Sequence, residues 1–154
     1  MVKVVVAVTL ACDMACPGCY LHAADRTGPA LTPARFAAVL DALPPRATLI
    51  LSGGELPVLG PEHVRALCDE SDARPDKAFH AALSLNLMHL PDWLADLARA
   101  RVAGRLETSF AWARRPRAGE SEAAWRAAFG ERLVAAVARG LSCDVCVEVG
   151  DRRV

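Results

Sequence analysis

Five short segments with the pattern of strands alternate with four amphipathic ones along this chain, and that alternation restricts the fold more than any other feature of the sequence. The strand segments cover residues 3–10, 48–51, 79–85, 106–110 and 145–149, and the first of them is almost wholly apolar. Short apolar runs of this kind predict strands that are buried on both faces, as in a parallel sheet. Strands that alternate with helices predict βαβ units with right-handed crossovers. The sequence therefore predicts an α/β fold.

The four predicted helices begin at residues that favour helix N-termini. Thr32 and Ser121 have side-chain oxygens that can cap the first and fourth helices. Pro61 and Pro91 open the second and third helices, where the missing N–H of proline costs nothing. The apolar face of the fourth helix is predicted to consist of Trp125, Phe129, Leu133 and Val137.

Length and composition predict one globular domain that spans residues 1–154. Hydrophobic residues make up 53% of the chain and charged residues 23%, which is enough apolar material for a sizeable core. The formal net charge is zero, so composition gives no reason to expect nucleic acid or a membrane as a partner. The N-terminus lacks a signal peptide pattern, which favours a cytoplasmic protein with reduced thiols.

Three cysteines with C-x3-C-x2-C spacing follow the first predicted strand, namely Cys12, Cys16 and Cys19. In a reducing compartment, thiolates this close in sequence favour a metal site, and the ligand set suits an iron–sulfur cluster or zinc. Three ligands are one fewer than either usually takes, so a cluster would keep one iron open to another ligand. His22 could complete a zinc site, and zinc therefore stays open as an interpretation.

Other polar residues fall at the ends of the predicted strands. In parallel sheets, ligands bind at the carboxyl ends of the strands. The residues at these ends are Gly53, Gly54 and Glu55 on the second strand, Ser84 and Asn86 on the third, and Ser109 on the fourth, with Arg114 beyond it. These residues and the three cysteines all fall at the carboxyl ends of the predicted strands, and this shared location predicts a single site. Taken singly, a Gly-Gly pair is more often a simple strand exit, and the polar residues are ordinary strand ends.

The cysteine triplet, together with Gly53-Gly54-Glu55 one βα unit later, resembles the radical S-adenosylmethionine (SAM) enzymes. In that family three cysteines hold a [4Fe–4S] cluster, and the amino and carboxylate groups of SAM chelate the fourth iron. The resemblance implies a parallel-stranded partial (βα) barrel of the radical SAM type. The usual core has six βα units, whereas this chain has about five, so we expect a barrel that is incomplete at the C-terminus.

The resemblance also implies roles for individual residues. Gly53, Gly54 and Glu55 match the motif that binds the ammonium group of SAM. Polar residues at the later strand ends contact the ribose and carboxylate of SAM in the family, and Ser84, Asn86, Ser109 and Arg114 occupy such positions here. The aromatic residue that often precedes the third cysteine is replaced by Gly18, which leaves Tyr20 as the candidate for contact with the adenine.

The activity implied by the resemblance is reductive cleavage of SAM to methionine and a 5′-deoxyadenosyl radical, which abstracts hydrogen from a substrate. The implied partners are SAM, a reductant such as flavodoxin or ferredoxin, and an unidentified substrate for which a peptide or protein is the candidate. One alternative is an activating enzyme that makes a glycyl radical on a partner protein, because such enzymes share the Cys-Pro-Gly-Cys-Tyr ending seen at residues 16–20. A non-catalytic cluster or zinc scaffold is another alternative. A third is half of a split enzyme, in which a second chain covers the open sheet edge.

The remaining cysteines are predicted to be structural. Cys68 falls on the apolar stripe of the second helix, and Cys143 and Cys146 flank the start of the fifth strand. Cysteine in such positions behaves as a small hydrophobic residue, so we expect all three in the core rather than in a second cluster or a redox pair.

Overall fold

Five strands and four α-helices alternate along the chain in a computed structural model that describes residues 2–14, 16, 19, 29–111 and 121–148. The strands are β1 (Val2–Thr9), β2 (Arg46–Gly53), β3 (Ala78–Ser84), β4 (Arg105–Ala111) and β5 (Ser142–Glu148). The helices are α1 (Pro33–Ala42), α2 (Pro61–Asp72), α3 (Asp92–Arg101) and α4 (Glu122–Ala138), with a 3₁₀ turn over Leu56–Leu59. The predicted alternation is confirmed.

All five strands belong to one sheet, in the order β1-β2-β3-β4-β5, and each neighbouring pair is parallel. Strands that are consecutive in sequence are therefore neighbours in space, which is the arrangement of a (βα) barrel rather than of a doubly wound sheet. The predicted α/β class with a parallel sheet is confirmed. The carboxyl ends of all five strands lie at the same edge.

The helix starts also agree with the sequence. The Thr32 hydroxyl accepts a hydrogen bond from the Arg35 N–H at 3.3 Å, and the Ser121 hydroxyl accepts one from the Ala124 N–H at 3.2 Å. Pro61 is the first residue of α2. In the part of the chain that the structure describes, no helix is both long enough and apolar enough to cross a bilayer.

One face of the sheet forms the hydrophobic core. Strand register aligns Val6, Leu51, Leu83 and Leu106 in a row across the first four strands, and each is at most 8% exposed. All four helices add buried side chains to this core, including Phe36, Leu40, Val64, Leu67, Leu94, Leu97, Trp125 and Phe129. Burial of this continuous apolar layer provides most of the driving force for folding.

The opposite face of β1 is exposed. Val6 and Val8 are buried against the helices, whereas Val5 is 60% exposed. Alternate residues of a strand point to opposite faces, so Val5 lies on the face that the four described helices leave uncovered, here called the helix-free face. The prediction that the strands are buried on both faces is wrong for β1. It is also wrong for β5, where Val147 is 53% exposed at the edge of the described sheet.

The helix-free face is concave. The Lys3 ammonium donates a hydrogen bond to the Glu107 carboxylate at 2.8 Å, although Lys3 is on β1 and Glu107 is on β4. Three strand spacings amount to roughly 14 Å in a flat sheet. Side chains stand roughly perpendicular to a sheet, so these two groups meet because the sheet curls toward its helix-free side.

The apolar face of α4 differs from the prediction at its C-terminal end. Trp125 and Phe129 are buried as expected, and their rings lie 6.2 Å apart between centroids. Val137 is 56% exposed, and Ala136 occupies the buried position instead. Each step of four residues overshoots a helical turn by about 40°, so three such steps carry Val137 away from the core.

We predict that Leu83→Ala lowers the free energy of unfolding by about 2–5 kcal/mol, because it leaves a cavity in the middle of the core row. Leu83 is fully buried, whereas Val134 is 69% exposed on α4 and serves as the matched control. Val134→Ala is expected to change the free energy by less than about 0.5 kcal/mol. Denaturant unfolding of both variants measures the difference, and equal effects would contradict the assignment of this row as the core.

Candidate functional site

The carboxyl ends of β1 and β2 are joined by backbone hydrogen bonds. The Gly54 N–H donates to the Thr9 carbonyl at 2.6 Å, and the Glu55 N–H donates to the Ala11 carbonyl at 2.8 Å. These bonds continue the strand pairing beyond the end of β1 and into the segment that carries the cysteines. They fix the start of that segment relative to Glu55.

Two glycines make this close approach possible. A Cβ atom on Gly54 would lie 1.8 Å from the Ala11 carbonyl oxygen, and one on Gly53 would lie 2.3 Å from the Thr9 carbonyl oxygen. Gly53 also has a φ of +118°, a region that residues with side chains rarely adopt. The Gly-Gly pair is therefore required by the join between the two strands, a role that is independent of any ligand.

The segment after the cysteines returns to the same place. The Leu31 N–H donates to the Val8 carbonyl at 2.8 Å, and the Leu31 carbonyl lies 2.9 Å from His63 Nε2 on α2. The chain that leaves β1 at Thr9 is thus tied back to β1 before α1 begins. Both ends of the cysteine segment are anchored to the sheet edge.

A buried carboxylate lies at this edge. Glu55 is 3% exposed, and its two oxygens accept hydrogen bonds from the Asn86 backbone N–H at 3.2 and 3.1 Å. Asn86 lies two residues beyond β3 and is 7% exposed. Burying a carboxylate is costly unless it is hydrogen-bonded or paired with a positive charge. The Asn86 N–H stabilises the buried Glu55 carboxylate and fixes its position at the ends of β2 and β3.

The three cysteines of the motif are half-buried and lie outside disulfides. The Cys19 N–H donates to the Cys16 carbonyl at 3.2 Å, which holds the second and third cysteines close together. Among the described residues, the set of possible metal-ligand atoms within 4.8 Å of one another consists of Cys12 Sγ with carboxylate oxygens of Asp13 and Glu55. The first cysteine and the buried acid therefore share one site.

This site is electrostatically negative. Burial raises the pKa of the Cys12 thiol, and the nearby charges of Glu55 and Asp13 raise it further, against a backbone hydrogen bond with Met14 that lowers it. Two acids and a potential thiolate at such short range repel one another unless a positive charge lies between them. A bound cation reverses this effect and favours the thiolate. The arrangement fits a positively charged cofactor and ligand.

Asp13 was not singled out by the sequence analysis. Its Oδ1 atom accepts a hydrogen bond from the side-chain amide of Asn86 at 2.9 Å, across a large separation in sequence. The available signal was an acid directly after the first cysteine of the motif. The structure therefore brings Cys12, Asp13, Glu55 and Asn86 together from the ends of three strands.

The remaining predicted residues fall at the same sheet edge or outside the described chain. Ser84 is the last residue of β3, and Ser109 is two residues before the end of β4; both are half-buried. Tyr20, His22 and Arg114 lie outside the described residues. Glu55 lies close to Cys12, and Asn86 is hydrogen-bonded to Asp13, while the single ligand-binding site that includes all of the predicted residues stays a prediction.

The other cysteines do not form a second centre. Cys143 and Cys146 both lie within β5, and register pairs them with Leu106 and Ser109. Residues three apart on a strand point to opposite faces, so these two thiols do not face one another. Cys143 packs against the core, but Cys146 is exposed, so the prediction that it is a core residue is wrong. The prediction is confirmed for Cys68, which is 6% exposed.

Comparison with known proteins was informative at the level of three-dimensional structure. No protein-family model matches the chain, and no match was found among curated proteins. The chain is similar to anSMEcpe with bound AdoMet, with a TM-score of 0.65, 12% identity, and coverage of 94% of this chain and 43% of that chain. It is similar to anSMEcpe with bound AdoMet and Cp18Cys peptide, with a TM-score of 0.62, 12% identity, and coverage of 94% and 42%. It is also similar to Streptococcus suis SuiB bound to precursor peptide SuiA, with a TM-score of 0.57, 12% identity, and coverage of 97% and 34%.

These neighbours are radical SAM enzymes, and the chain has the partial-barrel fold of that class. The fold predicted from the resemblance is therefore confirmed. The chain spans less than half the length of each of these neighbours. At 12% identity the likeness concerns the fold, so the chemistry must be argued from the residues of the site.

We predict that Gly54→Ala destabilises the protein by about 2–4 kcal/mol, since the added Cβ would overlap the Ala11 carbonyl and separate the two strand ends. Gly130, inside α4, is the matched control because a Cβ there meets nothing within 4 Å. Gly130→Ala is expected to stabilise α4 by up to about 1 kcal/mol. Denaturant unfolding measures both changes, and a neutral Gly54→Ala variant would refute the required close approach.

We also predict different alkylation rates for two cysteines outside the motif. Burial raises the pKa of the Cys68 thiol to about 11, whereas Cys146 is exposed. The thiolate is the reactive form, so iodoacetamide at mildly alkaline pH should modify Cys146 first and Cys68 only after unfolding. Peptide mass spectrometry after a short pulse measures the rates, with urea-unfolded protein as the control. Rapid modification of native Cys68 would contradict its burial.

Proposed function

We propose that this chain is the core domain of a radical SAM enzyme, with residues 1–154 forming one unit. The observation that supports it most strongly is the shared site of Cys12 and Glu55, whose ligand atoms lie within 4.8 Å of each other. The motif cysteine and the motif acid come from different loops, and the fold places them together at the carboxyl edge of a parallel sheet. Such an edge is where this class of sheet binds ligands.

In this proposal Cys12, Cys16 and Cys19 hold a [4Fe–4S] cluster, and all three lie outside disulfides, so their sulfurs can serve as ligands. Zinc fits less well. A tetrahedral zinc ion with Zn–S distances near 2.3 Å holds its sulfurs about 3.8 Å apart. Among the described residues, the group of ligand atoms within 4.8 Å contains Cys12 with two acids rather than the three cysteines.

SAM would bind between the cluster and the ends of β2 and β3. Its ammonium group is a cation, and the buried Glu55 carboxylate offers it a charge-assisted hydrogen bond. Gly53 and Gly54 hold Glu55 beside the cysteine segment through the join between the strand ends. Ser84, Asn86 and Ser109 provide polar groups on the adjacent strands. Tyr20 and Arg114 are retained as candidates for contacts with the adenine and the carboxylate.

The chemistry supplied by the bound cluster is one-electron reduction of SAM, which releases methionine and a 5′-deoxyadenosyl radical able to abstract hydrogen from a substrate. The contribution of the protein is to orient SAM and to exclude water from the reacting groups. The electron would come from a small reductant such as flavodoxin or ferredoxin. A cytoplasmic location is consistent with the free thiols.

We further propose a peptide or protein segment as substrate. Two of the structural neighbours were solved with peptides, namely Cp18Cys peptide and the precursor peptide SuiA. In this chain, Lys3 and Glu107 lie on the concave face, and register places Asp144 beside Glu107. This surface, which also exposes Val5, is open to an extended chain that approaches the sheet edge.

The proposed function is tested by anaerobic reconstitution with iron and sulfide, followed by EPR spectroscopy of the reduced protein with and without SAM. We expect a [4Fe–4S]⁺ signal that changes when SAM is added and that is lost in Cys16→Ala. Cys143→Ala is the matched control, because Cys143 packs against the core away from the motif. Metal analysis that finds only zinc, or a cluster signal indifferent to SAM, would overturn the proposal.

We predict that Glu55→Gln weakens SAM binding by roughly tenfold or more, because it removes the negative partner of the ammonium group. The cluster content should be unchanged, since all three cysteines remain. Glu131→Gln is the matched control on the exposed side of α4. SAM titration monitored by EPR gives the dissociation constants, and unchanged affinity in Glu55→Gln would rule out this assignment.

A further inference from the structure

The side chain of Asn86 is hydrogen-bonded at both ends within the protein. Its Nδ2 atom donates to Asp13 Oδ1 at 2.9 Å, and its Oδ1 atom accepts from the Met88 N–H at 2.7 Å. Its own backbone N–H donates to the Glu55 carboxylate. Asn86 thus connects the cysteine segment with the end of β2, and these bonds fix the orientation of its amide.

Asp13 Oδ1 is shared by two donors. It accepts the Asn86 amide at 2.9 Å and lies 3.9 Å from Cys12 Sγ, within range of a weak thiol hydrogen bond. The same oxygen therefore lies between the first cysteine of the motif and the residue that holds Glu55. Neither Asp13 nor this connection is needed to close the backbone join between β1 and β2.

The turn after Asn86 is one that needs support. Leu87 has a φ of +60° although it is not glycine, and it is 2% exposed. A left-handed conformation costs an ordinary residue roughly 1–2 kcal/mol. The Asn86 side chain spans this residue by accepting the Met88 N–H, which is the bond of an Asx turn. Asp13, by holding the amide, helps to hold the turn that aims the Asn86 N–H at Glu55.

We propose that Asp13 and Asn86 form a positioning bridge that keeps Glu55 in register with the cluster-binding cysteines. This inference rests on the proposed function, because it assigns the bridge to the geometry of SAM binding. The two residues are positioning residues: they act through Glu55 and through the β3 turn. The bridge sets how well the site binds SAM, whereas the cysteines determine whether it holds a cluster.

The first test compares SAM affinity among three variants of the reconstituted protein. Asp13→Ala removes the acceptor, and we expect the dissociation constant for SAM to rise roughly tenfold with unchanged iron content. Asp13→Asn keeps a carbonyl oxygen for the Asn86 amide and should restore most of the affinity. Asp96→Ala is the matched control, because Asp96 is an exposed acid on α3. Among the described ion pairs, Asp96 takes part only in the one with Arg99.

The second test needs neither cluster nor SAM. In the metal-free protein, hydrogen–deuterium exchange followed by mass spectrometry reports on the backbone amides of Asn86 and Met88, which the bridge protects. Asp13→Ala should speed exchange in the peptide that covers residues 84–90 by roughly tenfold. Asp13→Asn and Asp96→Ala should leave exchange close to that of the unmodified protein.

The outcomes separate this inference from the proposed function. Asp13→Ala with unchanged SAM affinity and unchanged exchange would overturn the bridge. The bridge would also be overturned if Asp13→Asn weakened SAM binding as much as Asp13→Ala does. The negative charge of Asp13, rather than its hydrogen bond to Asn86, would then be responsible for the affinity. Loss of the cluster in Asp13→Ala would assign Asp13 to cluster binding instead. If the unmodified protein shows no SAM-dependent signal, the proposed function fails, and the exchange test still decides whether the bridge exists.

Discussion

The backbone contact between the ends of β1 and β2 fixes the start of the cysteine segment relative to Glu55, and the rest of the site depends on that placement. Because Gly54 and Glu55 donate to the chain just beyond β1, the cysteine segment starts beside the buried acid rather than at an arbitrary place on the edge. This contact has no room for a side chain at Gly54. A local steric requirement of the backbone thus brings the Cys12 thiol, whose thiolate form repels a carboxylate, into one site with Glu55.

The site is built outward from that contact through progressively longer connections. Backbone hydrogen bonds join β1 to β2, and the Glu55 carboxylate joins the end of β2 to Asn86 beyond β3. The Asp13 side chain then connects Asn86 to the cysteine segment. The hydrophobic row beneath these groups gives the strands a fixed register, so small polar contacts at the edge are sufficient to define the geometry. Preorganisation of this kind keeps a binding group in place before the ligand arrives.

Local patterns predicted the parts of the structure that depend on local physics. The caps at Thr32 and Ser121, the alternation of strands and helices, and the meeting of Cys12 with Glu55 all follow from residue type and order. The exposure of Val5 does not, because an apolar run shows that a strand is fit to be buried without showing which faces are covered. The bridge from Asp13 to Asn86 depends on a turn with left-handed Leu87, which no residue type there signals.

Alternate residues of each strand point to opposite faces of the sheet, so each face has its own set of side chains. This separation of the two sets has an evolutionary consequence. The row that contains Leu83 and Leu106 provides the packing, whereas the concave face includes the charged residues Lys3, Glu107 and Asp144. Substitutions at exposed positions of that face, such as Asp144, are therefore expected to cost little stability. Such positions can vary by drift while the packing on the other face holds the fold constant, and a directed library confined to them would test this separation.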